Sequence, residues 1–137
     1  MSKKSKKIIK SSGIIHNFNL QAIVADIEII NLDSDDSRKV LVEVFNWSDN
    51  IPVALPVMSF NGPDFIEGDG GPIEIEPITD CGFFVRLRDN QVFAYEVRIT
   101  FFKTTEDVVA SSQGLRFFEN VVGQTIRHLD FRTVDLD

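Results

Sequence analysis

The apolar residues of this chain recur at intervals of two, and no helical period lasts longer than a turn. The clearest run is Phe93 to Phe101. Phe93, Tyr95, Val97, Ile99 and Phe101 share one face, and Glu96, Arg98 and Thr100 share the other. Side chains alternate across a strand, so this run predicts that all five apolar residues line a core. Ile73 and Ile75 alternate with Glu74 and Glu76 as far as Pro77, and Phe83, Val85 and Leu87 oppose Arg86 and Arg88. Val40 to Trp47 is apolar on both faces except at Glu43 and Asn46, which predicts a central or covered strand. Pro52 and Pro56 confine Val53-Ala54-Leu55 to a short edge strand.

The remaining segments extend the pattern. Leu20, Ala22 and Val24 alternate, then Ile23, Ala25, Ile27 and Ile29 take over the apolar phase, which predicts a bulge near Val24. Asp33-Ser34-Asp35-Asp36-Ser37 is a polar turn, and Asn61-Gly62-Pro63 and Gly68 to Pro72 are loop chemistry. Thr104 to Ser111 and Leu115 to Val122 read as two short strands around Ser112-Gln113-Gly114, and Leu129, Phe131 and Thr133 as a final strand. About eight strands with regular turn signals predict an all-β, antiparallel sandwich or jelly roll. Twelve Phe against one Tyr and one Trp suit a dry interior or a dry contact between subunits. A length of 137 residues fits one domain with a real core.

Charge divides the chain unevenly. Residues 1–10 hold Lys3, Lys4, Lys6, Lys7 and Lys10 and no acid, which leaves nine of the 14 basic residues to face all 21 acids in the rest. Residues 1–13 therefore read as a flexible basic arm, and residues 14–137 as the sandwich. An acidic body repels nucleic acid and anionic lipid, so neither is an expected partner. The arm reads either as a solvated tail or as a connector complementary to the acidic body of another copy. Ile8, Ile9, Ile14, Ile15 and Phe18 are its expected subunit contacts, because spaced apolar anchors on a loose arm can add as a strand to a neighbour's sheet. The other reading of Ile14-Ile15 is the start of the first native strand. No stretch has the roughly 20 apolar residues of a membrane helix, and Lys10 interrupts the apolar start at Ile8-Ile9. Synthesis in the cytoplasm without a signal peptide is expected.

Catalytic chemistry is not expected. His16 and His128 sit in no local motif, and Cys81, the lone cysteine, reads as a core residue or as an intermolecular crosslink. Asp33, Asp35 and Asp36, or Glu67 and Asp69, supply calcium-type oxygens, but neither segment matches a twelve-residue calcium loop. No metal and no cofactor is expected. Asn46-Trp47-Ser48 reads as a strand end, with Trp47 either in the core or forming one wall of a sugar-binding groove.

Three segments carry a family resemblance: VEVFNWSDNIPVALPV (Val42–Val57), YEVRITFF (Tyr95–Phe102) and NVVGQTIRHLDFRTV (Asn120–Val134). Together they resemble the small β-sandwich, fibre-forming subunits of endospore appendages in spore-forming Gram-positive bacteria. That resemblance implies a jelly-roll subunit that stacks into a homopolymer on the spore surface, its N-terminal connector reaching into a neighbour, with an anchoring spore-surface protein as a further partner. Some such connectors crosslink through cysteines. This arm has none, which implies non-covalent assembly. The rival readings are a non-enzymatic binding module for carbohydrate or a surface protein, and a phage structural protein.

Overall fold

The computed structural model describes residues 7–61, 64–66, 70–117 and 119–135. Its strands are β1 (Ile8–Ser11), β2 (Ile15–His16), β3 (Val24–Asn31), β4 (Arg38–Asn46), β5 (Val53–Ala54), β6 (Met58–Asn61), β7 (Asp64–Ile66), β8 (Ile73–Ile75), β9 (Thr79–Arg86), β10 (Ala94–Phe101), β11 (Val108–Arg116), β12 (Glu119–Ile126) and β13 (Arg132–Val134). They form an all-β antiparallel sandwich. One sheet runs β13-β1-β10-β4-β5, with β2 also on β10 and β8 on β4; the other runs β12-β11-β3-β9-β6-β7. The strand number exceeds the expected eight because several pieces are only two to four residues long.

The pairings nest. β1 pairs with β13, β3 with β11, β4 with β10, and β6 with β9. Each pair lies inside the previous one in sequence and in the opposite sheet, so the chain is one long antiparallel ribbon rolled up as in a jelly roll. Within the sheets the pairs meet through β1–β10 and β3–β9. The core lies between the sheets. Ala25, Ile27 and Ile29 of β3 and Phe83 and Val85 of β9 face Val40, Val42 and Val44 of β4 and Tyr95, Val97, Ile99 and Phe101 of β10.

The structure differs from expectation at five places. Ile8–Ser11, expected in a free arm, form a strand held between β10 and β13 of the same chain. Two flanking partners satisfy this segment's backbone groups, which its polar composition conceals. Residues 1–6 of the expected arm, with Lys3, Lys4 and Lys6, lie outside the described residues. No bulge is needed near Val24, because β3 begins there and Phe18–Leu20 upstream is a 3-10 turn. The two short strands expected around Ser112-Gln113-Gly114 are one strand, β11, whose hairpin turn comes after Arg116. Phe93 is 49% exposed, since β10 starts at Ala94 and Val92 turns inward instead. Leu129 sits in a 3-10 turn (His128–Asp130) and points to solvent, while Phe131 is buried.

Candidate interaction surface

One end of the sandwich gathers the turns before β3, after β4 and before β10. Hydrogen bonds tie them together: Asn17 N donates to Phe93 O, Trp47 N to Ala94 O, and Phe93 N to Ser48 Oγ. Below them Asn17 is fully buried, its Nδ2 donating to Ala22 O and Val92 O. This scaffold leaves four large apolar side chains in solvent: Ile14 at 48% exposure, Phe18 at 71%, Ile51 at 62% and Phe93 at 49%. Phe18 stacks on His16 at 5.3 Å between ring centres. Asn19, Leu20, Asn50 and Gln91 in these turns all adopt left-handed backbone, with φ between 52° and 66°. Asn tolerates that backbone, whereas Leu20 and Gln91 are uncommon there.

Beside this patch, Ile14, His16, Trp47, Asn50 and Ala94 line a shallow cleft of about 530 Å³. Trp47 is half-buried, and its Nε1 donates to Glu96 Oε1 at 2.9 Å. Glu96 also accepts from Ser11 Oγ and from Arg98 Nε, and Arg98 lies over the Phe45 ring. Burial alone would raise the Glu96 carboxyl, but these donors hold it below its ordinary value. The net effect is a buried anion that fixes the indole edge.

Of the five expected contact residues, Ile14 and Phe18 stand on the exposed patch. Ile15 is a core residue at 3% exposure, Ile8 packs against the core, and Ile9 pairs with Thr100 and Val134. Phe93 and Ile51 complete the patch and were missed by the alternation. The signal for Phe93 is its place two residues past the Asp89-Asn90-Gln91 turn, where strand phase is not yet set.

The other groups with chemical potential are engaged elsewhere. Asp33 Oδ1 accepts the backbone N–H groups of Asp35 and Asp36, and its Oδ2 accepts from Arg38 at 2.6 Å, so this acidic turn is self-satisfied. Those donors lower the Asp33 carboxyl. Glu67 and Asp69 lie outside the described residues. Cys81 is buried, its Sγ against Phe60 O, and burial with the charges of Asp80 and Glu28 pushes the thiol up to about 11. A thiol so placed is a poor nucleophile. His128 Nδ1 accepts Ala110 N–H, and burial lowers its pKa, with Lys10 adding to the effect. On the outer face of the second sheet, burial pushes the Glu28 carboxyl up to about 9, aided by its hydrogen bond to Asp80 and the charge of Asp26. Gly82 makes room for Glu28, since a Cβ there would meet its Oε2 at 2.7 Å. Among the described residues, no cluster of His, Cys, Asp and Glu is arranged to hold a metal, and no helix is long and apolar enough to cross a membrane. No protein-family model, curated protein or solved structure matches this chain.

Proposed function

We propose that this protein is a structural, non-enzymatic subunit that assembles with copies of itself into a non-covalent filament of the endospore-appendage kind. The observation that carries the reading is the solvent-facing group Ile14, Phe18, Ile51 and Phe93, gathered on hydrogen-bonded turns at one end of the sandwich. Apolar clusters of that kind on a monomer mark interaction sites. The family-like segments point the same way, and they are the sole basis for a spore-surface location and an anchoring partner there. In this reading the lysines ahead of β1 steer the chain toward the acidic body of a neighbour, with a salt-dependent association rate. Ile8 and Ile9 contribute through their own sheet. Negative-stain electron microscopy of concentrated protein tests the proposal. Regular filaments are the expected result, and a monodisperse monomer at every concentration would overturn it.

A second reading rests on the cleft beside Trp47. An indole edge fixed by Glu96, with His16 and Asn50 at the rim, suits a binding module for carbohydrate. Glycan binding by a monomer that never polymerises would favour it. The phage structural alternative shares the jelly-roll architecture.

A further inference from the structure

The chain makes its last passage between the sheets at His128. β12 ends at Ile126 in one sheet and β13 begins at Arg132 in the other, and the turn His128–Asp130 makes the crossing. Ser112 pairs with Ile126, so the same antiparallel register carried on by two residues sets Ala110 opposite His128. There the His128 side chain takes over from the β12 backbone: its Nδ1 accepts the Ala110 N–H at 3.1 Å. Beyond the turn Phe131 is buried, and β13 lies along β1, Arg132 to Val134 opposite Ser11 to Ile9. β13 is the outermost strand of its sheet and covers the outer edge of β1.

The hydrogen bond has a protonation requirement. A neutral imidazole has one acceptor nitrogen, whereas an imidazolium has none, because both nitrogens then carry protons. Ala110 is buried, so its N–H is poorly placed to find water instead. The charges around the ring also disfavour a second cation. β1 brings Lys10, whose charge acts on the ring together with burial to hold the imidazole below its ordinary value. The turn holds Arg127 and Asp130, and Asp130 Oδ2 is engaged by the Arg127 N–H. β13 adds Arg132, while β11 from Val108 to Leu115 and β12 from Asn120 to Ile126 carry no charged residue.

We infer that His128 is an acid-sensitive latch. Neutral, it fastens the β12–β13 crossing to β11. On taking up a proton from solvent it lets go of Ala110, and the crossing loosens together with β13, baring the outer edge of β1. A bared strand edge is open to pairing with another chain. The latch works within one chain and stands whether or not copies assemble.

Amide hydrogen exchange between pH 7.5 and 5.5 tests it, with protection factors taken at each pH so that intrinsic exchange cancels. Opening takes up one proton, so protection at Ala110, Phe131 and β13 should fall with pH, by at most about tenfold per unit. Glu28 strengthens the fold as pH falls through this range and cannot supply the loss. His128→Gln keeps an acceptor for the Ala110 N–H and cannot charge, so its protection should stay level. Lys10→Gln keeps the imidazole and its hydrogen bond but removes the nearby cation. Its protection should fall less, and its His128 ring should titrate at higher pH by NMR, which reads the latch even if His128→Gln fails to fold. Level protection in the wild-type chain, or an equal fall in His128→Gln, overturns the latch. So does a Lys10→Gln chain whose exchange and titration match the wild type.

Discussion

The hydroxyl of Tyr95 donates to Gln124 Oε1 at 2.9 Å across the interior, tying the central strand β10 to the edge strand β12. Gln124 Nε2 continues the chain to Asn17 Oδ1, which also accepts Ala22 N–H. All three side chains are buried, and burial raises the Tyr95 hydroxyl above its ordinary value. This network fixes the turns that carry Ile14, Phe18 and Phe93. Tyr95→Phe leaves one lone acceptor in a dry site and should cost about 1–3 kcal/mol in denaturant unfolding. Gly114→Ala should act on the same network from the other side, because its Cβ would collide with the Gln124 amide.

Phe101 and Phe93 mark the two ends of one sequence pattern and should respond differently. Phe101 is 2% exposed, so Phe101→Ala should cost about 3–5 kcal/mol. Phe93→Ser removes a half-exposed ring outside the strand and should change stability by less than about 1 kcal/mol. Similar losses at both positions would place Phe93 in the core after all.

The fold class was legible because Tyr95 to Phe101 alternate strictly and Val40 to Val44 and Phe83 to Val85 are rich in apolar strand formers, and alternation reports directly on which side faces the core. What the pattern hides is where a strand meets a turn. Gly114 reads as a breaker, yet it lies within β11, where it makes space for Gln124. Polar Ser11 and Lys10 read as tail, yet they belong to a strand with partners on both sides. Pairing partners are remote in sequence, and no local propensity reports them. The contact patch was half legible, through Ile14 and Phe18. Phe93 and Ile51 follow left-handed turns at Gln91 and Asn50 that composition does not announce.

Stability should depend on pH through Glu28. In the folded chain it keeps its proton up to about pH 9, whereas in the unfolded chain it releases it near the ordinary carboxylate value. Folding therefore takes up a proton between those limits. The contribution is full below the unfolded pKa and is lost as pH rises through the folded one. His128, with a lowered pKa, slopes the other way, and its stabilisation is lost as pH falls. Burial also raises the neighbouring Asp26 carboxyl, so on the alkaline side the Glu28–Asp26 pair sets the slope. Thermal midpoints should fall from about pH 7 to 9 in the wild-type chain and stay flatter in Glu28→Gln. Parallel curves for the two proteins would remove Glu28 as the cause.

Truncation of the N-terminus gives the last prediction. β1 pairs Ile8–Ser11 with Phe101–Arg98 on one side, and Ile9–Ser11 with Val134–Arg132 on the other. Removing residues 2–13 takes away both ladders. It strands β13 without a neighbour, uncovers the edge of β10, and deprives Glu96 of the Ser11 hydroxyl. Each lost backbone hydrogen bond counts for about 1 kcal/mol net, and several are lost at once. The total is a large part of the 5–15 kcal/mol or so that holds an ordinary domain together. The truncated chain should therefore unfold at much lower denaturant or fail to fold, contrary to the stable monomer that a free arm would leave. Removing residues 2–6 alone spares both ladders and should leave the unfolding midpoint unchanged. If the longer deletion also leaves it unchanged, β1 is dispensable, and residues 8–13 are free to act as the connector that their lysine-rich surroundings suggest.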